Sequence, residues 1–226
     1  MKKLMLGNEA FARGAYEAGV KVASAYPGTP STEITENIAK YDEIYSEWSP
    51  NEKVALEVAI GASISGARAL CCMKHVGLNV AADPLFTAAY SGVNGGLVII
   101  VADDPGMHSS QNEQDSRFYA RSAGIPMLEP SNSNEAKEMV KLGFELSEKY
   151  DTPILIRSNT RISHSQSLVE LSERNEVELK EYKKNIAKNV MMPGMARKRH
   201  VVLEERINQI KVDASSLSIN KAEYNN

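Results

Sequence analysis

Four short stretches carry side chains that do chemistry. The first is an acid in an apolar helix. Glu57 lies within EKVALEVAIGASISGA, flanked by apolar and small residues, and Gly61, Ala62, Ser65 and Gly66 form a small-residue stripe at roughly helical spacing. A second helix can approach such a stripe closely. A carboxyl group there is poorly solvated, which pushes its pKa up, and an acid so placed is either paired or functional. The alternative is a partly exposed glutamate on the outer face of its helix. The second stretch is Tyr26-Pro27-Gly28-Thr29-Pro30-Ser31. Gly28 allows close backbone approach to a ligand, and Thr29 and Ser31 set hydroxyls near a helix N-terminus, where anions are favoured. An ordinary Pro-Gly turn before a capped helix explains the same residues. Third, Lys74-His75 follows an apolar run directly, placing a cation and an imidazole where a strand ends; a plain surface loop is the rival reading. Fourth, Asp103 to Asp115 is an unusually polar stretch after LVIIVA, suited to a ligand, a metal or a partner subunit. Its acids and His108 match no metal-ligand spacing, so no metal site is assigned.

The elements that must position these groups alternate along the chain. Apolar runs at Val20–Tyr26, Ile44–Trp48, Ala69–Met73, Leu97–Ala102, near Met127 and at Pro153–Arg157 read as strands. Helical patterns fill the intervals: Asn8–Glu17 with Asn8 as cap and Gly19 as stop, Ser31–Tyr41, Asn51–Ala67 after Ser49-Pro50, Asn79–Ala89, Asp115–Ala123 and Asn134–Lys149. Continuous apolar strands separated by helices predict an α/β fold, a doubly wound, mostly parallel sheet with helices on both faces. Ligands of such sheets bind beyond the carboxyl ends of the strands, which picks out the loops 26–31, 49–52, 74–79 and 103–114. Composition shifts near Arg174. The expectation is a domain over 1–174 and an extended, charged C-terminal arm over 175–226 with one helix at Val201–Val212. The basic cluster Arg197-Lys198-Arg199 reads as a solvated linker or as an arm that packs on a domain outside this chain.

Bulk properties exclude several classes. A formal net charge of −3 over 226 residues argues against a nucleic-acid partner, which needs a basic surface. No apolar run approaches the roughly 20 residues that span a bilayer, and the N-terminal apolar stretch is too short for a signal peptide, so no membrane partner is expected and the expected location is cytoplasmic. Cys71 and Cys72, adjacent in ARALCCM, lack the spacing of zinc or iron–sulfur sites and read as two small buried hydrophobes in a strand. G-x-G-x-x-G, G-x-x-x-x-G-K-[ST] and G-x-S-x-G motifs do not occur.

Taken in order, YPGTPSTEI, Glu57 nine residues before Gly66, KHVGLNVAADPL, DDPGMHSSQNEQDSR and MPGMARKRH resemble the alpha subunit of the indolepyruvate ferredoxin oxidoreductases. The resemblance runs through at least His164 and is most specific in DDPGMHSSQNEQDSR. It implies a thiamine diphosphate-binding fold and, for this chain, the N-terminal pyrimidine-binding domain. The implied activity is oxidative decarboxylation of aryl-2-oxoacids such as indolepyruvate to acyl-coenzyme A, with ferredoxin as electron acceptor. By the same resemblance a carboxyl group hydrogen-bonded to the pyrimidine ring nitrogen drives the tautomer shift that activates the cofactor, and the motif gives this catalytic role to Glu57. Tyr26, Pro27, Gly28, Thr29, Glu57 and His75 are the implied cofactor contacts; Thr29, His75, Asp104 and Gln111 are the substrate candidates.

There are departures from the pattern. Related pyruvate enzymes carry a carboxylate-clamping arginine after the LVIIVA-like strand, and here Asp104 stands at about that position, which leaves carboxylate binding unassigned. The Gly-Asp-Gly…Asn diphosphate motif and the C-x-x-C clusters do not occur, so Mg2+ and 4Fe-4S clusters are expected in parts outside this sequence, which is then a fragment or one piece of a split enzyme, inactive alone. Expected partners are the diphosphate-binding domain, a beta subunit, ferredoxin and a second copy forming a homodimer. Two rivals stand beside this reading: a non-catalytic interaction or regulatory module of the same fold, and another thiamine-dependent 2-oxoacid enzyme, a decarboxylase or synthase.

Overall fold

LVIIVAD has no polar side chain before its last residue, and all seven residues are buried. A strand of this kind needs cover on both faces, which only a helix-flanked parallel sheet supplies. The computed structural model describes residues 1–220 and 224. In chain order the elements begin β1 (Lys2–Leu6), α1 (Gly7–Glu17), β2 (Val22–Ala25), α2 (Thr32–Ile38), β3 (Tyr45–Trp48), α3 (Glu52–Ile64) and β4 (Ala69–Lys74). They continue through α4 (His75–Val80), α5 (Ala82–Ser91), β5 (Leu97–Asp103), α6 (Arg117–Ala123), β6 (Met127–Leu128), α7 (Ser133–Tyr150) and β7 (Ile154–Asn159). The last elements are α8 (Thr160–His164), β8 (Gln166–Glu170), α9 (Ile186–Asn189) and α10 (Pro193–Ala214).

The six-stranded sheet has the order β3-β2-β4-β5-β7-β6, and every pairing in it is parallel. Strand alternation splits the interior into two cores. Leu70 and Cys72 of β4 join Phe11, Ile34, Val140 and Phe144 on the α1–α2–α7 side. Ala69, Cys71 and Met73 join Leu56, Leu78 and Leu85 on the α3–α4–α5 side. The adjacent cysteines therefore enter opposite cores. Burial pushes the Cys72 thiol up to about 12 and lifts Cys71 well above its ordinary value. The chain leaves β2 toward β3 on one side and leaves β4 toward β5 on the other. This reversal makes a switch point between β2 and β4, and a crevice opens beyond their carboxyl ends.

Several elements depart from the sequence-based expectation. Asn8 is not the cap of α1; Leu6 is. The Asn8 amide instead donates to the Pro30 carbonyl at 2.8 Å and to Glu33 Oε2 at 3.1 Å, pinning α1 to the turn after β2. The helix expected over Asn79–Ala89 is two helices, α4 and α5, broken at Ala81. The reason is Pro84. In one continuous helix its ring would strike the carbonyl of Val80, four residues back, whereas in the first turn of α5 its missing N–H costs nothing. The antiparallel pair β1–β8, with Leu4 opposite Leu168, was not expected.

The arm does not hang free as a linker but packs back onto the sheet domain. Lys180 N donates to Gly66 O at 3.1 Å, an approach that only glycine permits: a Cβ on Gly66, at φ +103°, would meet Lys180 O at 1.9 Å. The helix α10 starts at Pro193, not Val201, with proline in its first turn. It buries Leu203 against Gly124. Arg199 Nε donates to Tyr90 O at 2.7 Å, and Arg206 donates to Ala89 O at 2.8 Å and to Asp151 at 3.2 Å. Two arginines of the arm thus satisfy carbonyls left open at the end of α5. No helix among the described residues is long and apolar enough to cross a membrane.

Candidate functional site

The crevice is built from the ends of β2, β3, β4 and β5. After β2 the turn closes on itself: Ser31 Oγ donates to Gly28 O at 2.7 Å, and the Gly28 N–H donates to Thr32 Oγ1 at 2.9 Å. Tyr26, Pro27 and Thr29 stand exposed on this turn, and Gly28 is half-buried. A buried contact of 2.9 Å between the hydroxyls of Ser24 and Ser49 ties the end of β3 to β2.

The helix α3 opens at the crevice. Asn51 caps it, its side chain accepting from Val54 N at 3.0 Å. The next residue, Glu52, is buried. It shares the inward face with Ala55, Leu56, Ala59 and Ser63, and its carboxylate lies against Gly77, where an added Cβ would stand 2.6 Å from Glu52 Oε1. Glu57 is turned away. Five residues on from Glu52 it is rotated by about 140° around the helix, and it is exposed. The sequence-based expectation of a poorly solvated Glu57 fails because its apolar neighbours in sequence, Leu56 and Ala59, face the core while it does not. The partly buried acid of this helix is Glu52.

Lys74 and His75 end β4 and begin α4. Lys74 is 8% exposed, its stem runs along Gly28, and its Nζ donates to Ser109 O at 3.1 Å. His75 is 1% exposed, with Nε2 3.1 Å from Asn112 O. A carbonyl only accepts, so Nε2 carries a proton and the buried Nδ1 is left without a partner.

The loop after β5 folds over these groups and is anchored at both ends. At its start Asp103, fully buried, receives Arg157 Nε at 2.6 Å and Ser116 N at 3.1 Å. Arg157 also binds Glu129, which in turn holds Arg117 at 2.8 Å. Asp104 is buried and accepts from Ser109 N at 2.8 Å, Ser110 Oγ at 2.7 Å and Thr160 Oγ1 at 2.8 Å. Burial opposes its ionisation, but these hydrogen bonds outweigh that and hold its carboxyl well below the usual carboxylate range. These bonds make Asp104, expected as a substrate contact, a staple of the loop. Ser109 Oγ reaches Thr29 O at 3.4 Å, which closes the loop onto the first turn. Gln111 is exposed on the loop.

The structure thus brings Gly28, Thr29, His75 and Asp104 to one crevice, sets Tyr26, Pro27 and Gln111 exposed on its two loops, and leaves Glu57 exposed on the outer face of α3. Sequence reasoning did not single out the buried Glu52. The signal for it was its place directly after a capping asparagine and on the face of Leu56 and Ala59. A cavity of about 400 Å3 lined by Ile64, Val93, Lys180 and Lys188 contains none of these residues.

Comparison with known proteins adds independent information. A family model described as pyruvate flavodoxin/ferredoxin oxidoreductase, thiamine diphosphate-binding, matches residues 13–225. The chain is 50% identical over 97% of its length to the indolepyruvate oxidoreductase subunit IorA of Archaeoglobus fulgidus and 49% identical over 97% to that of Pyrococcus horikoshii. It spans 37% and 35% of those two relatives. A 2-oxoglutarate synthase subunit KorA of Archaeoglobus fulgidus is 26% identical over 88% of the chain. Among solved structures, the 2-oxoglutarate:ferredoxin oxidoreductase of Magnetococcus marinus superposes with a TM-score of 0.76 at 20% identity, covering 93% of this chain and 45% of that one, a likeness of fold.

Proposed function

Because the chain belongs to the thiamine diphosphate-binding family of pyruvate flavodoxin/ferredoxin oxidoreductases, we propose that it is the pyrimidine-binding part of an enzyme that oxidatively decarboxylates aryl-2-oxoacids such as indolepyruvate. The observation that carries this reading is the buried Glu52 carboxylate at the switch-point crevice, facing a residue, Gly77, that has no side chain to obstruct it. The residues present fit the cofactor's heterocyclic half. An acid sits in a water-poor place, two glycines leave the backbone open, and His75 Nδ1 is buried without a hydrogen-bond partner.

When bound, thiamine diphosphate supplies a carbon nucleophile and an electron sink for the 2-oxoacid. With the cofactor bound, Glu52, and not Glu57, would be the acid that holds its heterocyclic half, and the scarcity of water would strengthen a hydrogen bond from that carboxyl group. Gly28 and Thr29, on the turn after β2, would let the backbone come close to the bound cofactor. The loop 103–116, stapled by Asp104, excludes water from the crevice. His75 keeps the loop in place through Asn112 and has its buried Nδ1 available to a ligand.

The indolepyruvate assignment follows the names of the two IorA relatives. Their greater length supports a division of labour in which the diphosphate-binding domain, with Mg2+, and the 4Fe-4S clusters lie outside this sequence. A beta subunit and ferredoxin complete the electron path. A second copy is proposed to meet the outer face of α3, where nothing lies within 4 Å of a Cβ built on Gly61.

The test is turnover of the complete enzyme with indolepyruvate, coenzyme A and ferredoxin. Glu52→Gln should lower it by orders of magnitude and weaken thiamine diphosphate binding. Unchanged turnover in that variant overturns the assignment.

A further inference from the structure

Four cationic side chains with long stems are buried among the described residues: Lys74, Lys137, Arg157 and Arg206. Three have carboxylates. Lys137 meets Glu17 at 3.0 Å, Arg157 meets Asp103 at 2.6 Å, and Arg206 meets Asp151 at 3.2 Å. Lys74 makes no ion pair among the described residues. Its one hydrogen-bond partner is the neutral carbonyl of Ser109, at 3.1 Å. Burying a charge without a counter-charge is costly, and the acids at hand do not supply one. Asp104 is engaged by Ser109, Ser110 and Thr160, and neither Asp104 nor Glu52 pairs with Lys74. An ammonium group has three N–H donors, and two of them remain unused.

The other cations at this edge of the sheet are committed or open to water. Lys53 pairs with Asp83 at 2.9 Å, Arg117 pairs with Glu129 and Asp115, and Arg161 is exposed. Lys74 alone is buried at the switch point, with its stem along Gly28 and its Nζ beneath the loop that touches Thr29.

We propose that Lys74 is the anchor for the carboxylate of the 2-oxoacid substrate, which supplies the counter-charge the apoprotein lacks. The assignment rests on the reading that the crevice binds a 2-oxoacid. It gives the chain a specificity determinant, since a ligand without the negative charge leaves the ammonium unpaired. One carboxylate oxygen takes Nζ while Ser109 O keeps another of its donors, so substrate and loop are held by the same cation.

The experiment compares two unreactive ligands of nearly the same shape, the anionic indole-3-propionate and the neutral indole-3-propionamide, by calorimetry on the complete enzyme with thiamine diphosphate. The native enzyme should prefer the acid, and Lys74→Met should erase that preference by roughly 10- to 100-fold, the range for losing one charged hydrogen bond. Lys74→Arg, which keeps the charge, should retain most of it. Thiamine diphosphate affinity should stay within about threefold in both variants. Equal weakening of acid and amide in Lys74→Met would show that the lysine only tethers the loop, and would overturn the proposal. So would an effect confined to thiamine diphosphate, or a misfolded Lys74→Met accompanied by a Lys74→Arg variant that folds but shows no preference. A native complex that prefers the acid through Lys74 yet shows no thiamine-dependent turnover would sink the proposed reaction and leave the anchor standing.

Discussion

Glu52 and Gly77 form a contact that tolerates no side chain on the glycine: a Cβ there would stand 2.6 Å from Glu52 Oε1 and 2.8 Å from Cδ. Alanine inside a helix is ordinarily about 1 kcal/mol better than glycine, and Gly77 lies within α4. Here the steric demand opposes propensity. Gly77→Ala is expected to displace the Glu52 carboxylate and lower turnover of the complete enzyme at least tenfold while changing the melting temperature little. Turnover within twofold of native would show that the carboxylate can move without cost.

Glu57 gives the contrasting case. It is exposed, five residues beyond Glu52 on the same helix. Glu57→Gln is expected to leave turnover within about twofold, since the side chain stands on the outer face of α3, away from the crevice, and the change keeps its size. A loss comparable to that of Glu52→Gln, measured side by side in steady state, would return the activating role to Glu57.

The buried pair Asp103–Arg157 closes the base of the loop 103–116 at 2.6 Å. Removing one member leaves the other charged and unpaired. Arg157→Met should therefore cost about 3–5 kcal/mol, read as a lowered urea midpoint. The double variant Asp103→Asn, Arg157→Met should recover part of the loss. A single variant as stable as native would mean that water or the Ser116 donors suffice for Asp103.

Asp104 predicts an acid limb in the stability profile. Hydrogen bonds depress its pKa in the folded chain, so the unfolded chain binds a proton first as pH falls. The stabilisation is complete above the unfolded value, about 3.9, and is lost as pH drops below it toward the folded value. Asp104→Asn should be less stable than native at pH 7, and the gap should narrow below about pH 4. Denaturant midpoints at several pH values measure this; a gap independent of pH would assign the effect to packing.

Burial was legible wherever both faces of a strand are covered. LVIIVA and ALCCM could only be interior strands, and the alternation of strands and helices gave the doubly wound parallel sheet and hence the four loops at its carboxyl edge. The hydroxyl turn at Gly28–Thr29 and the residues Lys74-His75 were legible for the same reason, because strand ends locate them. Helix phase was harder. Glu57 has more apolar sequence neighbours than Glu52, but exposure depends on angle around the axis, and only the inward set Ala55, Leu56, Ala59 and Ser63 fixes that angle. Asp104 looked like a ligand contact because the partners that saturate it include Thr160, 56 residues away. The strands β1 and β8 pair across more than 150 residues, with no local signal in either. The arm read as a linker because the partners of Arg199, Leu203 and Arg206 are remote in sequence, on α5, at the end of α6 and at the turn at Asp151.

The back-to-back arrangement of Cys71 and Cys72 has a practical use. Each thiol looks into a different layer of the molecule, so neither can reach the other and neither meets a reagent while both layers stay shut. A thiol-reactive dye, followed by mapping which of the two sulfurs it modified, would report separately on the breathing of the α1–α2–α7 layer and of the α3–α4–α5 layer, without any label having to be engineered into the chain.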